Sequence, residues 1–155
     1  MLEPVPSPED QAIDPMEPSH RVRLLSCRLS RIAGGLSSVT VEFSLPDSSE
    51  VHRTSVKDTS SPAGDLRLAA LATLDAVCTA TGRVFTAELI GVKPVRAFDT
   101  TLIVVAMLGR IDGVTRRLVG AAIADDDQPT SVAVATLQAV NRLVSPLIIR
   151  GSQED

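Results

Sequence analysis

Residues 70–77, Ala70-Leu71-Ala72-Thr73-Leu74-Asp75-Ala76-Val77, return 63 positions later as Ala133-Val134-Ala135-Thr136-Leu137-Gln138-Ala139-Val140. Extended outward at the same offset, Val39–Ala80 aligns with Leu102–Leu143 without a gap, and 11 of the 42 positions are identical. An Ala-Thr-Leu-x-Ala-Val motif held at one offset marks an internal duplication, so the fold is to be read as one unit used twice.

Within each unit the hydrophobic period changes once. Val39, Val41, Phe43 and Leu45 alternate with polar residues as in a half-buried strand, whereas Leu66, Ala69, Ala70, Thr73, Leu74 and Val77 recur at helical spacing. The first unit reads as strands over Val22–Ser30, Ser38–Leu45 and Glu50–Lys57, then a helix over Asp65–Ala80 ended near Gly82. The second reads as strands over Val84–Val95, Thr100–Leu108 and Thr115–Ala124, with an Asp112-Gly113 hairpin turn, then a helix from Pro129 to Val144 with Pro146 beyond its end. The predicted fold is α+β: duplicated βββα units, each an antiparallel three-stranded sheet carrying one helix, over about 22–82 and 84–146 of a single domain at 21–147. Residues 1–20 hold five of the ten prolines and five acidic residues with no base, and read as a disordered tail; 148–155 read as a flexible C-terminal tail.

The apolar run Leu102-Ile103-Val104-Val105-Ala106-Met107-Leu108 breaks alternation, so this strand is expected to be covered on both faces, by its own helix and by something else. Leu102, Val104, Ala106 and Leu108 are the expected oligomer interface, and a homo-oligomer, dimer or larger, is the expected assembly.

Composition excludes several functions. At 155 residues and 44% hydrophobic content the chain can build a core, but aromatics are 2% with neither Trp nor Tyr, so recognition of single strands by base stacking lacks its residues. Net charge is −4, and removing the acidic ends leaves 15 basic against 12 acidic residues over 21–150. No concentrated basic field is expected; Arg21, Arg23, Arg28 and Arg31, and the pair Arg116-Arg117, read as solvated sheet positions, and no nucleic-acid partner is expected. The longest apolar run is seven residues and no leader-like block opens the chain, so no membrane span and a cytoplasmic location are expected. Cys27 and Cys78 are too few for a disulfide framework and read as small core residues.

The chemistry-bearing candidates lie before the two helices. Thr59, Ser60, Ser61 and Asp65 precede or open the first, and Asp125-Asp126-Asp127 precede the second. Helix N-termini expose unpaired N–H groups able to hold a carboxylate or phosphate, which makes these loops the candidate ligand-binding set, while carboxylates there also serve as caps. A divalent cation on the three aspartates is the other chemistry their charge allows. His52 sits in a strand with no nucleophile signal, and Gly34-Gly35 reads as a turn. No catalytic set, metal or cofactor is expected.

Duplicated βββα units with a terminal Ala139-Val140-Asn141-Arg142 resemble the C-terminal regulatory domain of 2-isopropylmalate synthase and its citramalate synthase relatives. The resemblance covers about Val22 to Val144, without the catalytic barrel; where that family has a Gly-x-Gly-Pro-x-Asp-Ala turn, this chain reads Ser60-Ser61-Pro62-Ala63-Gly64-Asp65. It implies a free-standing, non-enzymatic regulatory or ligand-responsive oligomerisation module, with a small-molecule effector or a protein partner. A purely structural, self-assembling scaffold needs the same faces and no ligand, and stands as the alternative.

Overall fold

Two hairpin-linked sheets follow one another along the chain, each closed by a helix. A computed structural model describes residues 22–45 and 50–153, excluding the side chains at 145 and 148–153. The element order is β1 (Arg23–Ile32), β2 (Leu36–Ser44), β3 (Val51–Thr59), α1 (Pro62–Ala80), β4 (Phe85–Ala97), β5 (Thr100–Ile111), β6 (Val114–Ile123) and α2 (Gln128–Gln153). The sheets are β1-β2-β3 and β4-β5-β6, antiparallel throughout. This is the duplicated βββα arrangement the repeat predicts. The expected tail at 1–20 lies outside the described residues.

The turns carry the sequence logic. Gly34 and Gly35 take positive φ between β1 and β2, and Asp112-Gly113 has positive φ at both central positions, the type I′ geometry that matches strand twist. Phe98-Asp99 adopts the same geometry between β4 and β5 without a glycine, at φ 53° and 58°. α1 opens on Ser61, whose Oγ accepts from the Gly64 N–H, with Pro62 at the first turn, and it ends where Gly82 takes φ 64°.

α1 lies on β2 and β3 and touches β4; α2 lies on β5 and β6 and touches β1; the helices also pack on each other. Each helix thus reaches the first strand of the other unit, the exchange expected of a pseudo-twofold. Helix positions 63 apart share environments: Leu74 and Leu137 are buried, as are Val77 and Val140, while Thr73 Oγ1 donates to the Ala69 carbonyl and Thr136 Oγ1 to the Val132 carbonyl, both at 2.8 Å. Leu74→Ala and Leu137→Ala are therefore expected to cost similar amounts, about 2–5 kcal/mol each. Paired denaturant titrations check this; a surface-like cost below about 0.5 kcal/mol at one site alone would contradict the equivalence.

The strands do not obey the same offset. Val39, Val41 and Phe43 face the core from β2, and their counterparts in β5 are Ile103, Val105 and Met107, 64 residues on. The ungapped match of Val41 to Val104 therefore joins an inward to an outward position. Strand side chains alternate, so a slip of one residue exchanges the faces. The difference is taken up between the last strand and the helix of each unit, since the pair Val41–Thr54 corresponds to the more widely spaced pair Val105–Gly120.

α2 also departs from expectation. It passes through Pro146 and continues to Gln153, so neither a stop before Pro146 nor a loose segment from 148 describes it. Val144 is buried and Leu147 packs against the core on either side of the proline, which keeps the helix seated despite the lost N–H.

Candidate functional site

The two helix-opening loops are the expected ligand site, and several of their polar atoms are engaged within the loops or as helix caps. Asp58 Oδ1 accepts from the Thr59 N–H at 2.7 Å, and the Ser60 N–H donates to the Gly35 carbonyl at 2.8 Å. Ahead of α2, Asp125 Oδ1 accepts from the Asp127 N–H and from Ser131 Oγ. Asp127 caps the helix with both oxygens, taking the Thr130 N–H at 3.2 Å and Thr130 Oγ1 at 2.6 Å. Asp126 is exposed. Among the described residues no three His, Cys, Asp or Glu side chains gather as a metal set.

Both loops are brought to β1. Arg31 Nη2 lies 3.7 Å from Asp65 Oδ2, pairing a base read from sequence as a solvated strand position with a buried carboxylate at the start of α1. Asp65 Oδ1 and Ser37 Oγ are buried with no hydrogen-bond partner among the described residues. Ser37 stands opposite Arg31 in the ladder. Near the other loop, burial pushes the Cys27 thiol up to about 12, and the negative charge of Asp127 adds to it. Burial likewise raises Cys78, with Arg83 and a backbone hydrogen bond at Ala87 pulling the other way. Both thiols are held neutral and inert at physiological pH.

That shift has a sign. A thiol titrating higher in the folded than in the unfolded chain leaves stability intact below its ordinary value of 9.0 and removes it as pH climbs toward 12. Urea midpoints should hold from neutrality to about pH 8.5 and fall above it. Cys27→Ala should flatten this alkaline fall, and an unchanged slope would show that Cys27 is not its source.

The sheets differ most on their outer faces. On the first, cross-strand rows read Ser26-Glu42-Arg53, Arg28-Thr40-Ser55 and Ser30-Ser38-Lys57. Arg53 Nη2 meets Glu42 Oε1 at 2.7 Å and the Thr40 and Ser55 hydroxyls lie 2.8 Å apart, so that face satisfies itself toward water. The corresponding rows on the second sheet read Val95-Leu102-Ile123, Lys93-Val104-Ala121 and Gly91-Ala106-Val119. Ile123 is 66% exposed and Val119 58%, and at the adjoining hairpin tip Phe98 is 96% exposed. The four expected interface residues, Leu102, Val104, Ala106 and Leu108, are all found here, partly covered only. Their strand neighbours Ile103, Val105 and Met107 point the other way and are fully buried. The helix covers one face of β5, as its unbroken apolar run requires.

One further row borders this patch, with Glu88 on β4 and Arg117 on β6 flanking Leu108. His52 stacks on Phe43 with ring centroids 5.3 Å apart, which places it in packing on the inward face of the first sheet. Among the described residues no helix is long and apolar enough to cross a membrane. No protein-family model matches the chain, and no curated protein matches it.

Proposed function

We propose that this protein is a non-enzymatic self-associating module whose second sheet packs its outer face on the same face of a second copy. The contrast between the two sheets carries the reading. A fold with two outward sheet faces has made the three central rows of one polar and the three of the other apolar except for Lys93, next to an exposed phenylalanine at the hairpin tip. The cytoplasmic setting and the resemblance to a dimerising regulatory domain belong to the same proposal.

The bordering charges favour a second copy as occupant. A twofold axis in the interface plane, along β5, exchanges left and right sides of the sheet while keeping each row at its height. It sets Glu88 against Arg117 of the partner subunit and, by symmetry, Arg117 against the partner's Glu88, while apolar rows meet in the middle. Two opposite-sign contacts at the rim fix the register of such a face.

A purely structural role, without a small-molecule effector, is the variant that the capping geometry favours. Ser61 and the Asp125 and Asp127 carboxylates already hold N–H and hydroxyl donors of their own loops. Sedimentation equilibrium with and without a panel of amino acids and phosphate metabolites separates the two. A mass independent of every compound supports a scaffold, and a mass that shifts with one restores the ligand-responsive reading.

A further inference from the structure

We propose that the free edge of β6, where it runs beside α2, accepts an acidic peptide segment in extended conformation as an added strand. The sheet order makes β6 an edge. Its hydrogen-bond phase is fixed at two points: the Ala124 N–H donates back to the Thr101 carbonyl on β5, and the Ala121 N–H donates outward to Gln138 Oε1 at 2.9 Å. Antiparallel pairing alternates, so Arg117 and Val119 share the phase of Ala121 and turn their N–H and C=O groups away from β5. Gln138 covers the edge at Ala121; the next two outward positions face a groove. An edge of this kind is a template for another strand.

The groove defines the partner. Its volume is about 720 Å³, and Arg116, Arg117, Val119, Gln138, Arg142 and Leu143 are among its lining. Among the described residues the acid partners of arginine are Asp65 for Arg31, Glu42 for Arg53 and Asp75 for Arg83, and none serves Arg116, Arg117 or Arg142. Two uncompensated guanidinium groups, those of Arg116 and Arg142, beside the open backbone donors and acceptors of Arg117 and Val119 select a chain with carboxylates at intervals, and Leu143 offers apolar contact between them. A second copy of this edge is a poor occupant, because antiparallel pairing would crowd the same two arginines of each copy together. The corresponding edge of the first unit is built otherwise: Thr54 Oγ1 donates to Asp75 Oδ2 at 2.6 Å and Arg53 is already paired.

This inference does not rest on the self-association reading: Arg117 and Val119 give their backbone to the edge and their side chains to the outer face, the edge's charges are those of Arg116 and Arg142, and the two tests have different readouts. The experiment is fluorescence anisotropy on the full chain with a fluorescein-labelled peptide of alternating Glu and Val, alongside two controls: alternating Lys and Val, and the Glu–Val peptide with every backbone amide N-methylated. The Glu–Val peptide should bind saturably and weaken as salt rises from about 50 to 300 mM; neither control should bind. Arg116→Glu with Arg142→Glu should weaken binding at least about tenfold at unchanged thermal midpoint and solution mass, and Arg116→Lys with Arg142→Lys should retain most of it. Equal binding by the glutamate variant, equal binding by the N-methylated peptide, or no binding by the Glu–Val peptide would overturn the proposal.

Discussion

Gly120→Ala should destabilise the protein by about 4 kcal/mol or more, among the largest effects a single methyl can have. Gly120 sits mid-strand in β6 where α2 crosses, and a Cβ built there would overlap the Ala135 carbonyl oxygen and stand 2.8 Å from the Ala139 nitrogen and 3.0 Å from its Cβ. The obstacle is helix backbone, which cannot rotate aside as a side chain does. Relief requires lifting α2 off the sheet, exposing Val132, Val140 and Val144, all fully buried. Gly91→Ala is the matched control, since nothing in its own chain lies within 4 Å of its Cβ position; because Gly91 is on the proposed self-association face, both changes are made in the Val104→Asp chain, where Gly91→Ala should be nearly neutral. Urea denaturation of the two variants measures the difference, and equal midpoints would refute the close helix-to-strand approach.

Val104 and Val105 are adjacent in β5, yet their substitution by aspartate should give opposite outcomes. Val105 is fully buried beneath α2, so Val105→Asp strands a carboxylate in the core and should prevent folding. Val104 lies on the outer face between Lys93 and Ala121, so Val104→Asp should fold and fail to assemble, weakening self-association by at least about a hundredfold. The rim can be tested separately. Glu88→Arg should weaken association, and adding Arg117→Glu should restore it, because the swap rebuilds both contacts across the twofold. Circular dichroism reports folding in each variant; a folded Val105→Asp or an unfolded Val104→Asp would invert the assigned faces.

What sequence reveals here follows the tolerance of each element to register. A helix face is broad, so the Ala-Thr-Leu-x-Ala-Val match locates Leu74 with Leu137 and Thr73 with Thr136 correctly from an ungapped alignment. A strand face alternates at every residue, so the same alignment joins Val41 to the outward Val104, because matching strand positions are 64 residues apart and matching helix positions 63. Element order, the Asp112-Gly113 turn and the unusual β5 were legible. Phe98-Asp99 was not, since its residues lack the glycine that usually signals a type I′ turn. Pro146 misled because burial of Val144 and Leu147 outweighs the local cost of a proline within α2.

Of the site, the outward placement of Leu102, Val104, Ala106 and Leu108, away from the helix, was readable from a run that no single helix could cover. The helix-opening acids were legible as caps or ligands alike, and only geometry shows Asp125 and Asp127 engaged by their own loop. The basic groove was missed. Arg116 and Arg117 look like solvated strand residues until the fold lays the Gln138 and Arg142 side of α2 beside that edge. The usable signal was an Arg-Arg pair on the last strand of a sheet followed by polar residues four apart on the next helix.

Self-association through the outer face of the second sheet is decided by the mass of the protein in solution, measured by sedimentation equilibrium at micromolar concentration for the wild type and for Val104→Asp. The wild type should sediment at no less than twice the 16.4 kDa of one chain, and the variant as a single folded chain. A wild type that sediments as a stable monomer, or a Val104→Asp variant that keeps the wild-type mass, would contradict it.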